Sequence, residues 1–211
     1  WGALELIDDH LLIGTMPNTG DGRVMLAQFV LNHRIEARHR VVKVDDGNSE
    51  WADTDHALFV GDRSQAQATL RCASDNDNVY FLVEVLDNCL SKNDYADIYI
   101  SPTTGDDMLT GESCRIRLSL EGLKSSDVYN NGWTGSKLGV SVHTQYEGSV
   151  FDNSDIDQGY IAEVAVPRSK LNIGSGEILV NFSITDSQGG EDALSDTSVP
   201  GTRNWIPVTG L

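Results

Sequence analysis

Apolar and polar residues alternate in short runs along most of the chain, and the runs stop at clusters of Gly, Asn, Asp and Ser. In Cys114–Leu120, residues Cys114, Ile116, Leu118 and Leu120 share one side, with Arg115, Arg117 and Ser119 on the other. That two-residue period marks a half-buried strand. The same pattern predicts strands at Leu4–Ile7, His10–Thr15, Arg23–Leu31, Ile35–Lys43, Ala57–Val60, Ala66–Cys72, Val79–Leu86, Ala96–Ile100, Gly139–Tyr146, Gly159–Val166 and Glu177–Asp186. Helical periodicity is nearly absent; only Arg168–Leu171, after Pro167, reads as a helical turn. The economical architecture is all-β: a two-sheet antiparallel β-sandwich, immunoglobulin-like or jelly-roll-like. Val79–Leu86 is apolar on both faces except at Glu84, so it belongs in the middle of a sheet.

The first forty residues differ from the rest. Two apolar runs flank Asn18-Thr19-Gly20-Asp21-Gly22, a good hairpin turn, and Asn32–Arg40 is the one strongly basic segment. Residues 1–40 are therefore expected to be an extra N-terminal β-hairpin or linker, read as the tail of a preceding domain, with the sandwich at 41–211. The chain opens on Trp1 with no signal-peptide pattern, which suggests a processed chain or an excised piece of a longer one.

Sorting side chains by strand face predicts one sheet whose outer face carries Asp97, Tyr99, Arg115, Arg117, Glu163, Asn181 and Ser183. Two readings stand. One is an ordinary solvated face with cross-strand ion pairs. The other is a binding face, because Arg forks, carboxylates and amides match the vicinal hydroxyls of a sugar, and aromatic rings match its C–H faces. A pairing of Asp97 with Arg115 serves either. Asp87, Asp94 and Asp106 stand near the ends of the same strands, as loop-shaping residues or as ligands around an ion.

Composition narrows the partners. A length of 211 residues is enough for a sizeable core, and a net charge of −17 disfavours nucleic-acid backbone and anionic membrane surfaces. No stretch reaches the roughly 18–20 apolar residues that span a bilayer as a helix. Three cysteines, Cys72, Cys89 and Cys114, form no C-x-x-C pair, and Cys72 and Cys114 fall in strand patterns as buried thiols. Asn181-Phe182-Ser183 fits a glycosylation sequon but lies inside a strand, so chance accounts for it.

Six segments, in order, resemble the family 9 carbohydrate-binding modules and their DOMON-like relatives. They are Val44–Trp51 (V-D-D-G-N-S-E-W), Val79–Asp87, Asp94–Ile100, Gly159–Pro167, Asn181–Asp186, and Trp205 before Gly210-Leu211. The resemblance covers roughly 41–211 and implies a β-sandwich module of a secreted, periplasmic or cell-surface glycoside hydrolase. It implies a polysaccharide or oligosaccharide as partner, together with the upstream catalytic domain of the same polypeptide. Family members hold sugar ends between two Trp side chains, beside an acidic residue and an Arg. Asp97 matches the acidic position, Arg115 the arginine and Trp205 the second Trp, with Tyr99 on the same face. The first Trp falls in Ser91–Asp94, which has none; Tyr95 and Trp133 are the candidate replacements.

Calcium is the cofactor this resemblance implies, with Asp45, Asp46 and Asp87 as the suggested ligands. The acidic loops at Asp45-Asp46, Asp75-Asn76-Asp77, Asp152…Asp157 and Asp192 lack EF-hand spacing, and solvated turns account for them better than a metal site does. A haem reading would enlist Met16, Met25, Met108 and His143, whose spacing does not support it. No nucleotide-binding loop, nucleophile elbow or H-E-x-x-H is present. Asp97 and Glu163 are the one carboxylate pair that a glycosidase mechanism could recruit. The expected function is non-catalytic sugar binding on the polar face; the rival is an accessory domain that packs on its enzyme without binding sugar.

Overall fold

The computed structural model describes residues 34–45, 49–52, 54, 56–61, 66–103, 106–150, 157–173 and 176–211, and the backbone of strands at 3–7, 10–15 and 25–30. The chain divides into two units, Trp1–His33 and Arg34–Leu211. In the first, β1 (Ala3–Ile7), β2 (His10–Thr15) and β3 (Met25–Val30) form an antiparallel three-stranded sheet in sequence order. Met16 and the hairpin turn at 18–22 lie outside the described residues.

The second unit opens with β4 (Ile35–Glu36) and β5 (Arg38–His39), followed by β6 (Leu58–Val60), β7 (Gln67–Ser74), β8 (Asn78–Leu86) and β9 (Tyr95–Pro102). Then come β10 (Cys114–Ser119), β11 (Gly122–Tyr129), β12 (Trp133–Gly135) and β13 (Ser141–Glu147). The last are β14 (Gly159–Pro167), β15 (Ile178–Asp186), β16 (Gly190–Ala193) and β17 (Ile206–Thr209). One eight-stranded sheet runs β12-β11-β10-β9-β15-β17-β4, with β16 also paired to β15; one six-stranded sheet runs β13-β14-β8-β7-β5, with β6 also on β7. They pack as the expected sandwich. Two edge pairings, β4 on β17 and β5 on β7, are parallel, so the sheets are mixed rather than purely antiparallel.

The inner faces follow the alternation. Ile98, Ile100, Ile116, Leu118, Val180 and Phe182 from one sheet meet Leu70, Phe81, Val83, Ala162 and Val164 from the other in one buried core. The predicted strand Ile35–Lys43 is instead two short pieces, one on each sheet, and residues 40–45 leave them. Ile35 is wholly buried in the core, which is why the division falls after His33 and not at residue 40.

The outer face of the six-stranded sheet is covered from within the chain. Tyr80, Leu82 and Ala165 point outward there and are roofed by Val42 and Trp51. That explains the two-sided apolar pattern of β8, which is indeed a central strand between β7 and β14. The β7–β8 turn is tied by Asp75, whose Oδ1 accepts from the N–H of Asp77 (2.8 Å) and Asn78 (2.7 Å) while its Oδ2 accepts from the Tyr80 hydroxyl at 2.7 Å. This acidic loop is a turn built by an Asp side chain. Where β14 begins, Gly159 has φ +120°, and a Cβ there would stand 1.9 Å from the Val85 carbonyl oxygen; only glycine permits that approach.

Cys72 and Cys114 are buried free thiols, and burial pushes the Cys114 thiol up to about 12 and that of Cys72 higher still. Cys89 is partly exposed. A maleimide added to the native protein is expected to label Cys89 and to reach the other two only in denaturant. Equal labelling of all three would mean that the core opens readily. Asn181 is likewise wholly buried, its amide donating to the Ser195 carbonyl at 3.0 Å, so the sequon is inaccessible. Among the described residues no helix is long and apolar enough to cross a membrane.

Candidate functional site

The outer face of the eight-stranded sheet is built by register. On β9 the outward residues are Tyr95, Asp97 and Tyr99; directly opposite on β10 stand Ser119, Arg117 and Arg115. One strand further out, Asp127 of β11 faces Arg115 and Ser125 faces Arg117. Each guanidinium therefore meets a carboxylate, but not in the pairing the sequence suggests. Arg117 grips Asp97 with two bonds, Nε to Oδ1 at 2.8 Å and Nη2 to Oδ2 at 2.6 Å. Arg115 binds Asp127 Oδ2 through Nε (3.1 Å) and Nη2 (2.9 Å), and the Ser125 hydroxyl donates to the same oxygen at 2.9 Å. Cross-strand neighbours lie closer than diagonal ones, so Asp97 takes Arg117 and Arg115 turns to the next strand.

Asp97 is only 1% exposed, and its carboxylate also accepts from the Tyr99 hydroxyl at 3.2 Å. The hydrogen bonds to Asp97 hold the Arg117 guanidinium well above its ordinary value. Burial, with Asp97 nearby, likewise pushes the Tyr99 phenol upward.

Aromatic rings line up beside these pairs. Tyr99 lies between Trp133 (centroids 5.6 Å apart) and Trp205 (6.0 Å), and Tyr129 meets Trp133 edge-on at 5.5 Å. Arg115 places its guanidinium 5.4 Å from the Trp133 ring, and Arg117 covers the Tyr95 ring at 3.9 Å. Trp205 and Tyr99 are buried, whereas Trp133, Tyr129 and Tyr95 are half-buried. The sheet thus brings Asp97, Tyr99, Arg115, Trp133, Trp205 and Tyr95 onto one face.

Glu163 does not share that face. It sits on β14, in the opposite sheet, 3% exposed. Its Oε1 accepts from the Trp51 indole at 2.8 Å and its Oε2 from the Asp45 N–H at 2.9 Å. Both oxygens are committed to holding the segment that roofs the sheet. Burial raises its carboxyl, and these two hydrogen bonds offset part of the rise. With Asp97 and Glu163 on different sheets, the carboxylate pair that a glycosidase would need does not form from them.

The suggested metal set also divides. Asp45 lies beside Glu163 and forms an ion pair with Lys43. Asp46 lies outside the described residues. Asp87 stands at the end of β8, where it meets Asp94 and Asp186; oxygens of the three lie within 4.8 Å of one another, and all three residues are buried. Burial, with Asp186, Asp94 and Asp157 adding to it, pushes the Asp87 carboxyl up to about 6. Asp45 and Asp87 separate because the segment before Trp51 is pinned over the middle of the six-stranded sheet, not at its end.

The fold has close counterparts. The structure is similar to that of a family 9 carbohydrate-binding module from Caldicellulosiruptor kristjanssonii in complex with cellotriose, at a TM-score of 0.65, with 14% sequence identity over 83% of this chain and 92% of that one. The fold is that of the family 9 modules. A family 9 module from the same organism in complex with glucose gives a TM-score of 0.63, with 15% identity over 83% of this chain and 94% of that one. No protein-family model matches the sequence, and no curated protein does.

Two of the motifs that resemble family 9 acquire a structural meaning in this fold. Trp51 of the first and Glu163 of the fourth are hydrogen-bonded to each other, so both serve the sandwich rather than its polar face. Conversely, Asp127 and Tyr129 lie on β11, which the sequence leaves unassigned because Gly122–Tyr129 carries few apolar residues. The signal was present in its polar positions: Ser125 and Asp127 alternate in step with Arg117 and Arg115 across a two-residue turn.

Proposed function

We propose that residues 34–211 are a non-catalytic carbohydrate-binding module whose ligand lies on the outer face of the eight-stranded sheet. One observation carries this reading: a half-buried Trp133 beside Arg115, within the Trp205–Tyr99–Trp133–Tyr129 row on the outer face of the sheet. A partly exposed ring offers an apolar platform for sugar C–H groups, and the fixed guanidinium and carboxylate edges offer donors and acceptors to hydroxyls. The two solved structures of the same fold bound to cellotriose and to glucose support neutral β-glucans as the first ligands to test. The rival accessory-domain reading calls for an apolar patch at this position, where the structure has paired charges and aromatics.

The test is titration of the full chain with cellotriose, glucose and a panel of neutral oligosaccharides, followed by tryptophan fluorescence and calorimetry. Trp133→Ala is expected to weaken binding at least tenfold, about 1.4 kcal/mol, with little change in unfolding midpoint, since Trp133 lies on a short edge strand. Arg115→Ala is expected to weaken it further by removing the guanidinium donors and leaving Asp127 only the Ser125 hydroxyl. If the folded wild-type chain binds no glycan, the module reading is lost and the accessory-domain reading replaces it.

The wider setting is part of the same proposal. The module belongs to an exported carbohydrate-active enzyme, secreted, periplasmic or at the cell surface, and residues 1–33 lead from its catalytic domain. The coding sequence upstream of Trp1 tests this: a glycoside hydrolase frame supports it, and an unrelated frame or a stop overturns it.

A further inference from the structure

The roof over the six-stranded sheet covers only part of its outer face. Register sorts the uncovered side chains into two rows that cross the strands. One row runs Phe59, Thr69, Glu84, Ile161 and Gln145, on β6, β7, β8, β14 and β13 in turn. In the next, Gln67 faces Leu86, Gly159 abuts Leu86, and Glu147 faces Gly159. Two depressions of about 270 Å³ and 190 Å³ open over these rows, and both are lined by Glu84 and Leu86. Joined there, they form a groove in the size range of ligand clefts, roughly 300–1,000 Å³. Neighbouring strands lie about 4.8 Å apart, so five of them give the groove a length of about 19 Å. The roof forms one wall: Ile161 packs against its cluster, and the Arg71 guanidinium donates to the Trp51 carbonyl at 3.4 Å.

The lining mixes apolar surface with uncommitted polar groups. Leu86 is 65% exposed although it lies on a central strand. Glu84 Oε2 accepts from the Thr69 hydroxyl at 3.2 Å and pairs with Arg71 Nη2 at 3.4 Å, which leaves its Oε1 free among the described residues. The side-chain amides of Gln67 and Gln145 make no hydrogen bond to described residues either. We propose that this groove is a second carbohydrate site, on the sheet opposite Trp133, and that it takes a neutral glycan chain laid across the strands. Amides and a free carboxylate oxygen suit sugar hydroxyls, while Leu86, Ile161 and Phe59 suit the C–H faces between them. An acidic glycan is disfavoured, because Glu84 already pairs with Arg71 and Glu147 adds a further negative charge. A second copy of this chain would bring its own net charge of −17 to the same surface. A protein partner calls for contiguous apolar area with few charges at its centre, and here the Glu84–Arg71 pair holds the middle. The site is independent of the Trp133 face, so either reading can stand without the other.

The test measures binding of the full chain to soluble β-glucan, xylan and mannan in native affinity gels, and to cello-oligosaccharides of increasing length by calorimetry. Trp133→Ala is the background in which the other face is disabled, and residual binding to at least one of these polymers is expected there. Adding Leu86→Ala with Gln145→Ala is expected to weaken that residual binding at least tenfold. Both side chains are exposed, so the unfolding midpoint is expected to stay with the parent. Complete loss of binding in Trp133→Ala alone overturns the groove and leaves the Trp133 face standing. Residual binding that the groove substitutions leave unchanged overturns it as well. Binding abolished by the two groove substitutions but indifferent to Trp133→Ala keeps the groove and removes the other reading. A wild type that binds no glycan removes both. A chain that is dimeric until Leu86 is replaced gives the groove to a second copy and overturns the glycan.

Discussion

Trp51→Ala is expected to cost the fold about 4–5 kcal/mol, a large share of the roughly 5–15 kcal/mol that holds a typical domain folded. Trp51 is 1% exposed and forms the centre of the small cluster, with Val42, Ala73, Tyr80, Leu82 and Ala165, that roofs the six-stranded sheet. Its removal takes away the largest side chain in that cluster and leaves Glu163 Oε1 buried without a donor. Both losses act in the same direction. Trp51→Phe keeps most of the apolar surface and loses only the indole donor, so about 1–3 kcal/mol is expected there. Urea unfolding midpoints of the two variants separate packing from hydrogen bonding. A loss below about 1 kcal/mol in Trp51→Ala would show that the cover made by Val42 and Trp51 is dispensable.

Arg117→Ala is expected to cost about 3 kcal/mol, because it strands Asp97, which is 1% exposed, without its bidentate partner. The Tyr99 hydroxyl remains but provides a single bond at 3.2 Å. Arg117→Lys restores the charge without the two-pronged geometry and should recover only part of the loss. Surface ion pairs contribute about 0–1 kcal/mol; the larger figure rests on the burial of Asp97. Equal stability of Arg117→Ala and wild type by urea unfolding would mean that Asp97 reaches water or another donor. The same variant also separates support from contact at the proposed sugar face. Arg117 lies over Tyr95 and against Asp97, so binding should fall together with stability, whereas Trp133→Ala should affect binding alone.

Much of this protein is written in its periodicity. The two-residue alternation in β9, β10 and β15 assigned Ile98, Ile116 and Phe182 to the core and Asp97, Arg115 and Asn181 to the other face, because a strand leaves a side chain only two directions. The two-sided apolar run of β8 marked a central strand for the same reason. Alternation is a local property, and it survives whatever the strand later pairs with.

Partners across strands are not local. The sequence placed Glu163 on an outer face but on the same sheet as Asp97, whereas the pairing of β14 with β8 and β13 puts it on the other sheet. It coupled Asp97 to Arg115, although a register in which Arg117 stands opposite Asp97 decides otherwise. It passed over β11, whose sparse apolar residues give too little pattern for a strand at this end of its sheet. It also drew Asp45 and Asp87 together from their acidity. The convergence of Asp87, Asp94 and Asp186 required two sheets to end at one place, which residues so far apart in the chain cannot announce. Sequence alone determined which side of its strand each residue occupies; the tertiary structure decided which residues meet there, because pairing register and sheet packing are set by contacts distant in the chain.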